Sequence, residues 1–230
     1  MSAAAVLVVL AAVGFAVFDH DDAPPAAGGS HAALEARPLI APAVVVTPGS
    51  HRLADPLGAL PFAAPTTAAE YRRLDPAQRQ QLAAVLARTE CAVQAGSDAP
   101  VRVACTSAFG GPLFALLLGP SIFDDSGLLD ARAVEPSGLS SAQWTVEITL
   151  DRPASRAWLR YTTAHHRLDP GSADPRRCGS DVPCADYVAF VVDGQAVSVP
   201  IILGPLDRFT EISGNFTERT AKRLAQGLDR

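Results

Sequence analysis

The chain has 230 residues, 48% of them hydrophobic and 19% charged, with a formal net charge of −5 at pH 7. That length holds one or two domains, and the negative balance without a clustered basic face excludes nucleic acid as a partner. Four cysteines allow a disulfide framework in an oxidising compartment.

Ala3 to Phe18 is an unbroken apolar run, about 24 Å long as a helix at 1.5 Å per residue, against a hydrocarbon core of about 30 Å. No Lys or Arg precedes Arg37, and Val17 and Phe18 stand where a cleavage site would need small residues. Asp19, Asp21 and Asp22 follow at once, which places the amino terminus inside and the body outside. Residues 1–18 are thus expected to be a single-pass anchor, or a secretory signal if they are cleaved. From Asp19 to Thr66 the chain is rich in alanine and carries prolines at Pro24, Pro25, Pro38, Pro42, Pro48, Pro56, Pro61 and Pro65. Proline fixes φ and removes a donor, so residues 19–66 are expected to form a disordered tether, leaving 67–230 as the folded body.

Asp75-Pro76 is a helix start, an N-cap followed by proline at the first helical position, and Leu82, Val85 and Leu86 extend it as an apolar stripe to about Thr89. Val101 to Cys105 and Phe114 to Leu118 are short apolar runs between Pro and Gly, hence strands. Trp144, Val146, Ile148 and Leu150 alternate with Thr145, Glu147 and Thr149, the period-two pattern of a strand with one buried face. A helix from Pro153 to about Ala164 follows from the spacing of Trp158, Leu159 and Thr162. Tyr187 to Val192 resumes strand character and leads into Asp193-Gly194, a two-residue loop suited to the positive φ of a type I′ hairpin turn. That turn pairs Val192 with Gln195, Phe190 with Val197 and Val188 with Val199, and Val191 with Ala196 and Ala189 with Ser198 on the other face. The small-residue face is expected to admit a helix, and Pro200 to stop the second strand. Thr217 caps a last helix with Ala221, Leu224, Ala225 and Leu228 on one side. Hairpin connections with mixed elements make the class α+β, mostly antiparallel sheet with packed helices.

Taken in order, Leu118-Gly119-Pro120, Trp144-Thr145-Val146, Trp158 to Tyr161-Thr162, the hairpin with Asp193, Gly194, Ser198 and Pro200, and Ile212-Ser213-Gly214-Asn215-Phe216-Thr217 before the last helix form a pattern. It resembles the periplasmic P1 head of SecD, a protein-translocase accessory subunit, over about Ala115 to Leu228. The resemblance implies a non-enzymatic, membrane-tethered module on the extracytoplasmic side of a bacterial cell membrane. Such a module binds exported or unfolded polypeptides or docks on a Sec or other envelope complex. The membrane helices that do proton-driven work in SecD are not among these residues, so only the head's binding or docking role carries over. Val199 departs from the usual Ser-Ala-Pro, and an insertion of unassigned role runs from about His165 to Pro183.

The cysteines pair most simply as Cys91 with Cys105 and Cys178 with Cys184, out of three connectivities. Actinobacterial SecD proteins look similar in carrying a pair where Cys91 and Cys105 stand. His165 and His166 near Cys178 and Cys184 have a metal flavour, but Cys-x5-Cys is not the tight spacing of a structural zinc site, which favours a disulfide and exposed histidines. Ser198 lies in a strand rather than in a Gly-x-Ser-x-Gly elbow, which assigns it to packing. Gly110-Gly111-Pro112 lacks the Lys-Ser/Thr of a P-loop. No cofactor, metal or small-molecule substrate is indicated. The alternative is a secreted or anchored hydrolase whose site is drawn from distant residues: a histidine with a carboxylate in a deep pocket would favour it, and a solvent-facing apolar groove would favour polypeptide binding.

Overall fold

The computed structural model describes residues 32–49, 51–91, 99–107, 112–137, 143–167, 174–179 and 183–229. Among these residues it is α+β: a seven-stranded sheet, a separate three-stranded sheet and four α-helices. The expected anchor at 1–18 lies outside the described residues, among which no helix is long and apolar enough to cross a membrane.

The expected tether is corrected from residue 32 onward. Strand β1 (Leu34–Pro38) lies inside the large sheet, antiparallel to β8 (Val188–Val192) on one side and to β5 (Phe123–Asp124) on the other. Leu34 and Ala36 are completely buried. The same segment then bends away to β4 (Phe114–Leu118). Leu39 bridges Leu118, the Ile40 amide donates to the Leu117 carbonyl, and β2 (Val44–Val45) pairs with Ala115 and Phe114. With β3 (Arg102–Thr106) between β4 and β9 (Gln195–Ser198), the sheet curls back on itself through this one segment. The prolines are compatible because their missing donors fall where only carbonyls are needed: Pro38 accepts from the Gly119 amide and ends β1. The buried Arg37 is neutralised by Glu35, which also receives Arg102 at 3.0 Å, and Arg37 donates to the Gly119 carbonyl at 2.9 Å.

A further helix, α1 (Ala68–Arg73), precedes α2 (Pro76–Leu86), where Asp75 and Gln78 form a reciprocal capping box ahead of Pro76. Leu82 and Leu86 of α2 cover the outside of β4 at Ala115 and Leu117. The Cys91–Cys105 disulfide joins the segment after α2 to β3, and the second bridge is Cys178–Cys184; both expected pairings are present.

β8 is buried at every position because its two faces enter two cores. Val188, Phe190 and Val192 meet Trp158 of α3 (Arg152–His165), whereas Ala189 and Val191 face Leu39, Phe114 and the Cys178–Cys184 bridge. The helix therefore lies on the bulky face, contrary to expectation. The curled sheet encloses the small face and leaves no helix room there.

The hairpin turn is as expected, with Asp193 at φ 48° and Gly194 at φ 83°. Asp193 also accepts the Ala33 amide through Oδ1 at 2.9 Å, pinning the start of β1. Val192 pairs with Gln195 and Val191 with Ala196, but Phe190 then faces Ser198 rather than Val197. Val197 is the extra residue of a bulge, which aims the Ser198 hydroxyl at the Ser213 carbonyl of the small sheet. The shift carries on: the regular strand ends at Ser198, two residues before the expected stop at Pro200, and the Val188 amide donates to the Pro200 carbonyl and Ile202 to Asp186, so the pairing continues past the proline. Gly194→Ala is expected to cost about 1–2 kcal/mol, the penalty of a left-handed conformation for an L-residue, read as a lowered urea midpoint with an unchanged slope.

The small sheet has the order β10 (Phe209–Phe216), β7 (Trp144–Leu150), β6 (Leu128–Val134). Val146, Ile148, Leu150 and Ile212 point inward onto α3 and onto Ala221, Ala225 and Leu228 of α4 (Glu218–Leu228). α3 starts at the Asp151 cap, and α4 starts at Thr217, whose side chain accepts from the Thr220 amide.

Candidate polypeptide-binding cleft

β10 is an edge strand, and its register decides which of its backbone groups are free. The Leu150 amide donates to Arg208, so positions 208, 210 and 212 bond to β7 while Phe209, Glu211 and Ser213 turn their N–H and C=O groups outward. The Ser213 carbonyl is taken by the Ser198 hydroxyl. Among the described residues, the outward groups of Phe209 and Glu211 meet no partner. From the Ser198–Ser213 contact the two segments splay apart. β10 runs to one side and Pro200 to Leu203 to the other, opening a cleft of about 160 Å³.

Val188, Phe190, Trp158 and Leu206 supply an apolar lining, Ile201 to Leu203 the facing wall, and Glu147, Glu211 and Phe209 the polar and aromatic rim. Phe209 is 64% exposed, the most open large apolar side chain among the described residues. The wall is fastened to α3: Thr162 Oγ1 accepts from the Leu206 amide at 2.9 Å, and the Ser155 hydroxyl donates to Asp207 at 2.6 Å. Gly214 sits in the bulge at the closed end, where a Cβ would come within 3.1 Å of the Phe216 ring and 3.4 Å of the Val197 carbonyl.

Glu147 and Glu211 stand directly opposite each other across β7 and β10. Arg132 of β6 donates to Glu147 at 2.6 Å, and the Thr145 hydroxyl to Glu211. Partial burial, together with the Glu147 charge, raises the pKa of Glu211 above that of a free glutamate.

The histidines lie elsewhere. His165 ends α3 and His166 caps it, so they are helix-end rather than loop residues. The His165 ring stacks on Tyr161 with centroids 4.4 Å apart, and its Nδ1 is 3.9 Å from Asp186, which also faces Arg167 at 3.7 Å. Burial raises the Asp186 pKa, against the pull of Arg167, His165 and His166; desolvation lowers that of His165, against the pull of Asp186. Neither histidine lines the cleft. Cys178 and Cys184 are joined to each other, which removes both thiolates as metal ligands. In an NMR titration His165 is expected to lose its proton below the ordinary histidine midpoint, and Asp186→Asn to lower that midpoint further by removing the favourable charge.

Of the residues singled out from the sequence, Pro200 lines the cleft, whereas Ser198 bonds the Ser213 carbonyl next to Gly214 and neither of these two lines it. Asp193 and Gly194 stand at the hairpin tip, and Thr217 at the start of α4. Trp144 pairs with Phe216 and carries the Lys222 ammonium 5.4 Å over its ring. Part of the 165–183 insertion lies outside the described residues. Phe209 and Glu211 went unnoticed, and Glu147 was read only as an outward position of β7. The signal for them was the alternation Phe209, Thr210, Glu211, Ile212, in which an aromatic residue falls on the outward side.

No curated protein matches the chain. Solved structures that resemble it include "Crystal structure of SecDF in Super-membrane-facing form", with 18% identity and TM-score 0.43, and "Structure and function of a membrane component SecDF that enhances protein export", with 19% identity and TM-score 0.42. Each likeness covers 87% of this chain, which spans 19% of the first protein's length and 63% of the second's. Residues 114–230, just over half of the chain, match the family described as SecDF, P1 head subdomain, and the chain belongs to that family.

Proposed function

We propose that this chain is a non-enzymatic extracytoplasmic module of protein export, tethered to the bacterial membrane by its N-terminal apolar segment, that holds exported or unfolded polypeptide in the cleft beside β10. The observation that carries the reading is the apolar cleft opening onto strand-edge groups without partners, in a member of the P1 head family. Apolar surface rewards any unfolded chain, and unpaired backbone groups bind a backbone whatever its sequence. The second solved relative is described as a membrane component that enhances protein export, which gives the role its setting.

The hairpin tip is a poor place to probe client contact, since β8 is buried on both faces. A photo-crosslinker at Phe209, compared with one at the exposed Arg72 of α1, tests the reading in intact cells. Varied exported polypeptides captured from position 209 and not from 72 are the expected result. One fixed partner from position 209, or no product above background, would overturn it.

A further inference from the structure

Resting on that polypeptide-binding reading, we infer that the cleft selects extended segments in which a basic side chain adjoins an apolar one, taken up by strand addition to the free edge of β10 with the cation on the Glu147–Glu211 pair. Three features converge on this occupant.

First, the edge groups are ready for strand addition. Phe209 and Glu211 aim two N–H and two C=O groups outward, and a guest strand satisfies them only if its own backbone is extended.

Second, the cleft fixes what lies on one face of that guest. Guest side chains alternate between faces. Those on the Thr210 side enter the cleft beside Val188, Phe190 and Ile202; the cleft as a whole, at about 160 Å³, has room for one large apolar side chain, since a cavity of about 150 Å³ holds one benzene.

Third, the neighbouring guest residues fall on the Glu211 side, where two carboxylates face each other across the strands and only Glu147 is paired with an arginine, Arg132, among the described residues. Like charges directly opposed across strands are destabilising. Arg132 reaches Glu147 from β6, the far side of the sheet, and Arg208, the nearest other cation in sequence, rests 5.8 Å over the Phe209 ring. A guest lysine or arginine beside Glu211 supplies the missing positive charge. A guest glutamate would add a third carboxylate to the same place.

The test uses the full chain in mild detergent and three fluorescently labelled, unstructured Gly/Ser dodecapeptides with central Leu-Lys-Val, Leu-Gln-Val or Leu-Glu-Val, followed by anisotropy. Binding is expected to rank Lys, then Gln, then Glu, with about threefold between neighbours, the size of a partly exposed ion pair. The Glu147→Gln/Glu211→Gln double variant should lose the ranking while still unfolding cooperatively. N-methylation of the peptide amides next to leucine should weaken binding by about fivefold or more, the loss of a hydrogen bond with its partner left unsatisfied. Equal affinity for the Lys and Glu peptides, or indifference to N-methylation, overturns this inference. If crosslinks from position 209 still capture exported polypeptides, the broader reading survives that result; if no peptide binds and no polypeptide crosslinks, both fall together.

Discussion

A chain shortened to residues 67–230, the boundary that composition indicates, is expected not to fold. It lacks β1, which fills the place between β8 and β5 and then reaches β4 to close the large sheet. Leu34, Leu39 and Ile40 are essentially inaccessible to solvent, and each contributes about 1.5–3 kcal/mol by burial. Their joint loss approaches the whole stability of a typical domain, about 5–15 kcal/mol. The cut also leaves β8 with an open edge and Arg102 without Glu35. The shortened chain should show collapsed amide dispersion and no cooperative melt, whereas a chain starting at Ala32 should show dispersed amides and a cooperative melt. A cooperative transition in the shorter chain would show that β1 is dispensable.

Trp158→Ala is expected to cost about 3–5 kcal/mol, the range for removing a large aromatic side chain from a core. Trp158 is 1% exposed and sits where α3 meets both sheets. Its ring stands edge-on to Phe123 at 5.5 Å and to Phe190 at 6.1 Å, and stacks on Tyr161 at 6.5 Å. α3 itself cannot shift inward to refill the space without breaking its Thr162–Leu206 and Ser155–Asp207 contacts, which hold the cleft wall. Leu159→Ala, one residue along and on the outside of the same helix, should stay within about 0.5 kcal/mol, as surface changes do. Equal losses in urea denaturation for the two variants would contradict this assignment of the core.

The elements legible in the sequence are those whose signal is local. β7 showed its strict alternation, and α2, α3 and α4 announced themselves through Asp75-Pro76, the spacing of Trp158, Leu159 and Thr162 after Pro153, and Thr217. β1 was illegible because its residues, Leu-Glu-Ala-Arg-Pro, fit no strand preference and lie among prolines. Its stability comes from β8 and from the Glu35–Arg37–Arg102 cluster, which are remote in sequence. The same holds for the bulge at Val197: a two-residue turn specifies uninterrupted pairing, and only contact with Ser213 of another sheet shifts it. The cleft could be read only in part. Ser198, Pro200 and Gly214 stood out as a pattern, but Glu147 and Glu211 become neighbours through the register of β7 and β10, which no local feature reveals.

The most direct measurement of the central claim is amide hydrogen exchange on the full chain, with and without a saturating unfolded polypeptide. Protection gained at Phe209 and Glu211, with little change at β2 or α1, is the predicted result. Unchanged exchange at those two amides, or protection confined to another surface, would contradict the claim that β10 and its cleft hold the guest.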